Sequence, residues 1–295
     1  MNSACVFNIG SINEDRVYRV QRIARPGETV ASSRFEVFPG GKGANQSVAL
    51  ARAGMRVRHV GKIGNDGQWL RALLEKEGID TSHIARDDSP TGHANIQVDE
   101  SGENSIVLFG GTNRQLTVEQ LTRALGDASG GDALLVQNEV NLVPEAIEAG
   151  HRAGMQIYFN PAPMDMSVSG YPLERVDGFF LNAGEAAALT REGASPDRAM
   201  TELMQRFPNA LIIITLGAEG ALYGQSGSTG RVESSRVNAV DTTAAGDTFI
   251  GFCLAGLLEG KTSEEAVRLG CRAAALAVTV AGAMSSIPQR QDVAQ

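Results

Sequence analysis

Two aspartates frame a run of small residues in the segment 240–252, which reads V-D-T-T-A-A-G-D-T-F-I-G-F. The helical periodicity of the apolar residues after Gly246 predicts that this loop leads directly into the N-terminus of a helix. The first turn of a helix has free N–H groups and the positive end of the helix dipole, and both attract anions such as phosphate. Because only small side chains lie between Asp241 and Asp247, a phosphoryl group could approach the backbone of this loop closely.

Asp247 permits two interpretations. An aspartate near the N-terminus of a helix often caps that helix, and this role requires no ligand. Alternatively, Asp247 takes a proton from a substrate hydroxyl while the N–H groups of the loop hold the phosphoryl group that is transferred. Both roles fit the same place in the chain, so the rest of the sequence has to decide between them.

A second segment that could form a ligand site is 39–46, P-G-G-K-G-A-N-Q. Its glycines would let the backbone approach a ligand, Lys42 adds a positive charge, and Asn45 can both donate and accept hydrogen bonds. The segment is not a Walker A loop, which needs Ser or Thr directly after the lysine. It is not a dinucleotide-binding loop either, because Gln46 stands where the last glycine would be. The alternative is a glycine turn that serves packing only.

The elements that must position these segments alternate between strands and helices from residue 117 onward. This alternation predicts an α/β fold with a doubly wound, mostly parallel central sheet and helices on both faces. The last predicted helix is a long one, over 263–281. The length of 295 residues suits one such domain over 1–295.

Polar residues follow directly after several predicted strands. The carboxyl ends of parallel strands meet at one edge of a sheet, so these residues should lie together with the loop at 240–247. Each residue alone also fits a turn or a helix cap, but their number at one edge favours a binding site. The strands and their polar residues are 4–10 with Asn13 and Asp15, 133–137 with Glu139, 156–160 with Asn160, 178–181 with Asn182 and Glu185, and 211–215 with Thr215 and Gly217.

Two segments, about 16–38 and 93–109, do not follow this alternation. Their apolar residues predict two short strands around Pro26–Gly27 and a β-hairpin around Ser101–Gly102. Together they contain enough strand for a small separate sheet. We expect this sheet to form a lid or an oligomer contact.

The composition argues against several classes of protein. A net charge of −8 without a basic block disfavours a nucleic-acid partner. The three cysteines lack a C-x-x-C pattern and predict buried free thiols in a reducing compartment, and the four histidines lack the spacing of a zinc site. The sequence contains neither a signal-peptide pattern nor an apolar run of about 18 residues, so we expect a cytoplasmic protein without a membrane partner.

These segments resemble the PfkB, or ribokinase-like, family of carbohydrate kinases, and the likeness extends over nearly the whole chain. The segments that carry it are G-S-I-N-x-D at 10–15, G-G-K-G-A-N-Q at 40–46, N-P-A-P at 160–163, N-x-x-E at 182–185 and D-T-x-A-A-G-D-T-F at 241–249. The resemblance implies a ribokinase-like fold with a small β-sheet lid. It also implies an ATP-dependent enzyme that phosphorylates a sugar, with the 5-hydroxyl of D-ribose as the expected acceptor.

The resemblance further implies roles for individual residues. Asp247 would be the base, and the N–H groups of Ala244, Ala245, Gly246 and Asp247 would form an anion hole. The sugar would be held by Asn13, Asp15, Gly41, Lys42, Asn45, Glu139 and Asp247. The nucleotide would lie against Asn182, Thr215, Gly217, Gly220 and Gly246, and Glu185 would serve Mg²⁺ through water.

A monovalent cation, K⁺, and a second copy of the chain are also implied by the resemblance. The cation would lie beside the anion hole, and the two copies would form a homodimer through the lid. The implied cation ligands are Asp241, the carbonyl of Thr243, Ala277, Val280, Gly282 and the hydroxyl of Ser286.

The acceptor stays open among D-ribose, 2-deoxyribose, another pentose and a nucleoside. Ribose offers adjacent cis hydroxyls, and the single carboxylate of Asp15 can accept a hydrogen bond from both. Loss of one hydroxyl would cost about 1–3 kcal/mol, which argues against a deoxysugar. A catalytically silent sugar-binding protein is a further alternative, which the presence of Lys42, Gly246 and Asp247 disfavours.

Overall fold

The computed structural model describes residues 4–190 and 193–293, and a nine-stranded sheet runs through its centre. Its strands are β1 (Cys5–Ile9), β4 (Arg56–Gly64), β5 (Asp80–Asp87), β8 (Ala133–Gln137), β9 (Gln156–Asn160), β10 (Gly178–Asn182), β11 (Leu211–Thr215), β12 (Ala221–Gln225) and β13 (Ser228–Val232). They lie in the order β13-β12-β11-β10-β9-β8-β1-β4-β5. Neighbours from β5 to β11 pair in parallel, and β12 and β13 add an antiparallel edge, so the predicted mostly parallel sheet is confirmed.

Helices cover both faces of this sheet. They are α1 (Lys42–Arg52), α2 (Gln68–Lys76), α3 (Val118–Ala124), α4 (Val143–Arg152), α5 (Ala183–Leu189), α6 (Pro196–Arg206), α7 (Ala245–Leu258), α8 (Ser263–Ala277) and the short α9 (Arg290–Val293). Alternating side chains of β1 separate two cores. Val6 packs with residues of α1, α2, α7 and α8, whereas Phe7 and Ile9 pack with residues of α3 to α6. None of the helices in the described part of the chain is both long and apolar enough to span a membrane.

A separate four-stranded sheet is built from β2 (Asn13–Val20), β3 (Ser32–Gly40), β6 (Gly92–Val98) and β7 (Asn104–Phe109), in the order β3-β2-β6-β7. The β2–β3 and β6–β7 pairs are antiparallel, and β2 pairs with β6 in parallel. The predicted strands around Pro26–Gly27 and the predicted hairpin are therefore present. Strand β2 follows β1 after three residues, Gly10 to Ile12, so the small sheet carries Asn13 and Asp15 to the carboxyl end of the large sheet.

Two elements differ from the sequence-based expectations. Strand β5 was not predicted, because it is an edge strand whose mixed residues, D-T-S-H-I-A-R-D, lack the apolar pattern of a buried strand. The last long helix ends at Ala277 rather than at 281, since the carbonyl of Val278 accepts the N–H groups of Val240 and Asp241. Cys253 and Cys271 are buried free thiols, as expected, but Cys5 is only half-buried.

Candidate active site

The carboxyl ends of the central strands and two helix N-termini meet at one edge of the large sheet. Helix α1 begins after Gly41, whose positive φ of 91° leads the chain past the loop that follows β1. A Cβ on Gly41 would lie 2.9 Å from both the amide nitrogen of Asn13 and the carbonyl oxygen of Ser11. Only glycine permits this approach, which places the start of α1 against the residues expected to hold the sugar.

Asp247 lies in the first turn of α7 but does not cap it. The N-cap is Ala244, in a left-handed conformation with no side-chain cap, whereas Asp247 is only 8% exposed and points towards α1. Its Oδ2 accepts a hydrogen bond from Asn45 Nδ2 at 3.0 Å, and its Oδ1 accepts one from Gln46 Nε2 at 2.9 Å. The helix-cap interpretation of Asp247 is therefore wrong. Burial raises the pKa of Asp247, and the Lys42 ammonium and the two amide donors oppose this shift.

Asp15 presents its carboxylate to the same space without a partner. No donor in the ranges 4–190 and 193–293 reaches its oxygens. Burial, followed by the nearby carboxylates of Glu139 and Asp247, raises the pKa of Asp15 to about 7, while Lys42 opposes the rise. A Cβ on Gly40 would overlap this carboxylate, so the glycine before α1 leaves the room that Asp15 occupies. A half-buried carboxylate without a donor is suited to accept hydrogen bonds from a ligand.

Glu139, Lys42 and Asn45 complete the part of the site that faces Asp15. Glu139 Oε2 accepts hydrogen bonds from the Ser11 hydroxyl and from the Lys42 backbone amide, the latter at 3.1 Å. Burial works against the charge of the Lys42 ammonium, but the surrounding carboxylates, Asp247 first among them, raise its pKa. Asn45 Oδ1 is buried and has no hydrogen-bond partner among the described residues. An ammonium ion, a free acceptor on Asn45 and a free carboxylate on Asp15 thus face one space.

A cavity of about 230 Å³ extends from Asp247 along the ends of β9, β10 and β11. A larger open groove, about 610 Å³, lies beside α3 and α4 and contains none of the predicted site residues. The lining of the smaller cavity is Lys42, Asn160, Ala162, Phe180, Leu181, Asn182, Glu185, Thr215, Thr242, Ala244, Gly246, Asp247 and Ile250. Of the residues expected to hold the sugar, Lys42 and Asp247 line this cavity, whereas the remaining ones, Asn13, Asp15, Gly41, Asn45 and Glu139, are not among its lining residues.

The backbone at the start of α7 faces this cavity. No hydrogen bond within the described ranges uses the N–H groups of Gly246 or Asp247, whereas the N–H of Ala245 donates to the Thr242 carbonyl at 3.2 Å. A Cβ on Gly246 would meet no atom within 4 Å, so the space beside it is open. Of the four predicted anion-binding amides, that of Ala245 is thus engaged within the loop, whereas those of Ala244, Gly246 and Asp247 have no acceptor among the described residues.

At the far end of the cavity, Asn182 and Glu185 form a capping box for α5. Asn182 Oδ1 accepts from the Glu185 amide at 2.8 Å, and Glu185 Oε2 accepts from the Asn182 amide at 2.9 Å. Burial raises the pKa of Glu185, although the Asn182 amide and Lys42 oppose the rise. Thr215 lines the cavity, but Gly217 and Gly220 are not among its lining residues. A Cβ on Gly220 would overlap the Val232 carbonyl, so this glycine is needed for the chain turn itself.

The loop before α7 is tied to the chain that follows α8. Asp241 Oδ1 accepts from the Thr243 amide at 2.9 Å and Oδ2 accepts from the Gly282 amide at 2.9 Å. Partial burial works against its charge, but these hydrogen bonds lower the pKa of Asp241. The Ala277 carbonyl accepts the Val280 amide at 3.1 Å, and the Ser286 hydroxyl donates to the Ala283 carbonyl at 2.8 Å. An ionised carboxylate beside a turn rich in backbone carbonyls is a donor set that fits a monovalent cation.

Comparisons with known proteins identify the family of the chain. The family model for the pfkB family carbohydrate kinases matches residues 3–290. The chain belongs to this family.

Two curated relatives match this PfkB kinase over nearly their whole length. A ribokinase of Haemophilus influenzae is 39% identical over 96% of this chain and 95% of its own. A deoxyribokinase of Salmonella typhi is 34% identical, over 95% and 94%. The structure of an Arabidopsis thaliana ribokinase complexed with ribose and ATP covers 100% of this chain and 98% of its own, with a TM-score of 0.89 at 27% identity.

Sequence reasoning missed two buried amides in this PfkB kinase. Gln46 donates to Asp247, and Asn113 holds Asn13. Asn113 Oδ1 accepts from the Ile12 amide at 3.0 Å, and its Nδ2 donates to Asn13 Oδ1 at 2.7 Å, which turns the amide nitrogen of Asn13 away from Asn113. Gln46 lies within a segment that was singled out, but Asn113 follows two glycines and fitted an ordinary turn.

Proposed function

We propose that this carbohydrate kinase transfers the γ-phosphoryl group of ATP to the 5-hydroxyl of D-ribose and gives ribose 5-phosphate. The observation that carries the proposal is the position of Asp247. Its buried carboxylate faces the polar side chains around Asp15 and also adjoins the unused N–H groups at the start of α7. The ribokinase of Haemophilus influenzae and the ribose and ATP bound in the Arabidopsis thaliana protein support ribose as the acceptor.

In the proposed reaction Asp247 accepts the proton of the attacking hydroxyl. Phosphoryl transfer passes through a loose transition state in which the hydroxyl loses its proton late, so the position of the base matters as much as its pKa. The N–H groups of Gly246 and Asp247 would stabilise the charge on the phosphoryl oxygens as the group moves. Loss of such stabilisation typically costs about 10²–10³ in rate.

Sugar recognition would come from the buried side chains opposite the phosphates. Asp15 would accept hydrogen bonds from two neighbouring hydroxyls, and Asn45 Oδ1, which has no partner, would accept one more. Asn13 would donate through the amide nitrogen that Asn113 turns away from itself. Gly41, Lys42 and Glu139 would complete the contacts. Because Asp15 requires two hydroxyls to be satisfied, the site favours ribose over a deoxysugar.

Nucleotide and ions would occupy the other end of the cavity. When bound, Mg²⁺ would neutralise phosphate charge, with Glu185 and Asn182 near it through water. The turn that joins Asp241, Thr243 and Gly282 to Ala277, Val280 and Ser286 would hold K⁺, whose charge would strengthen the anion site. Thr215 and the backbone near Gly217 and Gly220 would lie beside the nucleotide. We also propose that the enzyme works in the cytoplasm.

The four-stranded sheet would act as a lid and as a dimer contact. Its strand β2 supplies Asn13 and Asp15, so movement of the sheet would open or close the sugar pocket. Its outer strands expose large apolar side chains that a monomer would leave in water. They are Phe35, Val37, Ile106, Val107, Leu108 and Phe109. We therefore propose that two copies of the chain pair through this sheet.

The decisive experiment is a panel of acceptors with ATP, Mg²⁺ and K⁺. We expect D-ribose to give the highest kcat/KM, ahead of 2-deoxyribose, other pentoses and nucleosides. The deoxyribokinase relative makes 2-deoxyribose the strongest competitor. Strong turnover of another acceptor without turnover of ribose would reject ribose as the substrate. In parallel, Asp247→Asn should lower kcat at least about 10³-fold while ribose still binds, and near-normal activity would reject Asp247 as the base.

A further inference from the structure

A row of buried side-chain amides lies beneath the pocket and connects Asp247 to strand β1. Gln46 Nε2 donates to Asp247 Oδ1 at 2.9 Å and to Asn160 Oδ1 at 3.2 Å. Gln46 Oε1 accepts from Gln137 Nε2 at 2.7 Å, and the same Gln137 nitrogen donates to Asn8 Oδ1 at 2.9 Å. Gln46, Gln137 and Asn8 are fully buried, so these hydrogen bonds are shielded from water.

Backbone acceptors fix the orientation of Asn160 and Asn8 at the two ends of this row, whereas Gln137 Oε1 has no partner among the described residues. Asn160 Nδ2 donates to the Phe180 carbonyl at 2.9 Å, and Asn8 Nδ2 donates to the Gly43 carbonyl at 2.8 Å. Because a carbonyl can only accept, the oxygens of Asn160 and Asn8 must face Gln46 and Gln137. The nitrogen of Gln46 is thereby forced towards Asp247. The reverse orientation would place an amide oxygen against a carboxylate.

We propose that Gln46 is a positioning residue for phosphoryl transfer. Its amide, oriented by Gln137 and Asn160, holds the carboxylate of Asp247 towards the acceptor hydroxyl and favours the ionised form. This inference rests on the proposed function, because it assumes that Asp247 is the base. It assigns to the last residue of the 39–46 segment a role that needs no contact with sugar or nucleotide.

The charges around Asp247 explain why such support is needed. Burial raises the pKa of Asp247, and the carboxylates of Asp15 and Glu185 face the same space. Lys42 is the opposing cation, but it is shared with these carboxylates and with Glu139. The amide donors of Asn45 and Gln46 act on Asp247 directly, and only Gln46 is held in one orientation by further buried partners.

Substitution Gln46→Met tests the proposal, because methionine has a similar length but donates no hydrogen bond. Loss of a hydrogen bond to a charged group corresponds to about a 10- to 100-fold loss, which we expect in kcat. The KM for the sugar should stay within about threefold, since Gln46 does not face it. The acid limb of the kcat–pH profile should move to higher pH, because protonated Asp247 is no longer disfavoured by this donor.

A matched control is Gln120→Met. Gln120 is also buried, and its Nε2 donates to the Gly61 carbonyl at 2.7 Å, but it lies on α3 away from Asp247. This control should not move the acid limb.

A second variant, Gln137→Met, removes the donor that orients Gln46 and leaves Gln46 itself in place. It should shift the acid limb in the same direction by less, and it carries the test if Gln46→Met does not fold.

Two results would overturn the proposal. One is a Gln46→Met enzyme with the wild-type acid limb, whatever its kcat, because a general loss of packing would lower kcat without changing that limb. The other, if Gln46→Met does not fold, is a wild-type acid limb in Gln137→Met. Asp247→Asn, measured in parallel, distinguishes failure of the base assignment from failure of the proposed role of Gln46. If Asp247→Asn is active, the base assignment itself fails. If it is inactive and Gln46→Met behaves as Gln120→Met does, only the role of Gln46 fails.

Discussion

In the half of the site that we propose for the sugar, buried side chains supply polar groups, whereas in the half that we propose for the phosphates the backbone supplies them. Asn13, Asn45 and Glu139 are buried, and partners within the protein hold each side chain. In contrast, Thr242, Thr243 and Gly246 are exposed, and the groups that face the cavity there include main-chain N–H groups. Asp247 belongs to both halves, because its side chain faces the first and its amide the second.

This difference follows from what each half has to recognise. Sugars differ in the placement of single hydroxyls, so a site that distinguishes them needs donors and acceptors at fixed places. A phosphoryl group is the same in every nucleotide, and oriented amides and a helix N-terminus suffice to bind it. The sugar half should therefore be sensitive to loss of a functional group. The phosphate half should instead be sensitive to an added methyl group.

Apart from Asp247→Asn, the largest effect is expected from Gly246→Ala. The new methyl group meets no protein atom, so the fold should tolerate it, but it would occupy space beside the anion-binding amides. We expect kcat to fall about 10²-fold or more while ribose binding, measured by calorimetry, changes little. Gly131→Ala is the control, because a Cβ there also meets no atom within 4 Å and Gly131 lies outside the site. If Gly246→Ala keeps more than half of the wild-type kcat, the hypothesis that the backbone binds the phosphates in this half is wrong.

Asp15→Asn tests the sugar half and should lower kcat/KM for ribose about 10- to 100-fold. An asparagine can accept through only one oxygen, so the preference of the enzyme for ribose over 2-deoxyribose should be smaller in this variant.

The pKa of about 7 for Asp15 in the free protein also predicts a pH dependence. Below this pH the carboxyl is protonated, so wild-type kcat/KM should rise with pH up to about 7 and then level off. An unchanged acid limb in Asp15→Asn would show that this limb has another origin.

The same variant should be more stable than the wild type. The folded-state pKa of Asp15 lies above that of an unfolded chain, so the folded protein binds more protons between about 4 and 7. The wild type therefore loses stability as pH rises through this window. Above pH 7 the ionised carboxylate of Asp15 destabilises the fold to its full extent. Thermal unfolding should give Asp15→Asn a gain in Tm that is larger at pH 8 than at pH 5. A gain independent of pH would contradict this explanation.

A smaller effect is expected from Asn113→Ala, which does not touch the sugar. Loss of the Asn113 side chain would free the amide of Asn13 to rotate. The KM for ribose should therefore rise about three- to tenfold, with a smaller change in kcat. Asn141→Ala is a matched control, because Asn141 bridges the backbone of Leu116 through both ends of its amide, as Asn113 does for Ile12. Equal KM values in the two variants would show that Asn113 stabilises the fold only.

Sequence reasoning found the parts of the site that depend on the local backbone and missed the parts that depend on contacts between distant side chains. Local patterns located the loop at 240–247 and the glycines of 39–46, because loop conformation and helix starts depend on nearby residues. The orientation of Gln46 depends on Gln137, which is 91 positions away, and on Asn160. No local pattern contains such a relation. For the same reason, the sequence left open whether Asp247 caps its helix or faces the pocket, since Asn45 and Gln46 contact it from another helix.

The smallest effect on chemistry should come from Val107→Asp on strand β7. Val107 is 66% exposed on an outer strand of the four-stranded sheet, where an added charge would oppose pairing with a second copy. We expect the mass in solution to fall from dimer to monomer, with only a few-fold rise in the KM for ribose. Val118→Asp, at a valine that is 59% exposed on α3, should leave the mass unchanged. A wild-type protein that is already monomeric would reject the dimer. A dimer that survives Val107→Asp would place the contact elsewhere, because a charge on this strand should not be accommodated between two apolar surfaces.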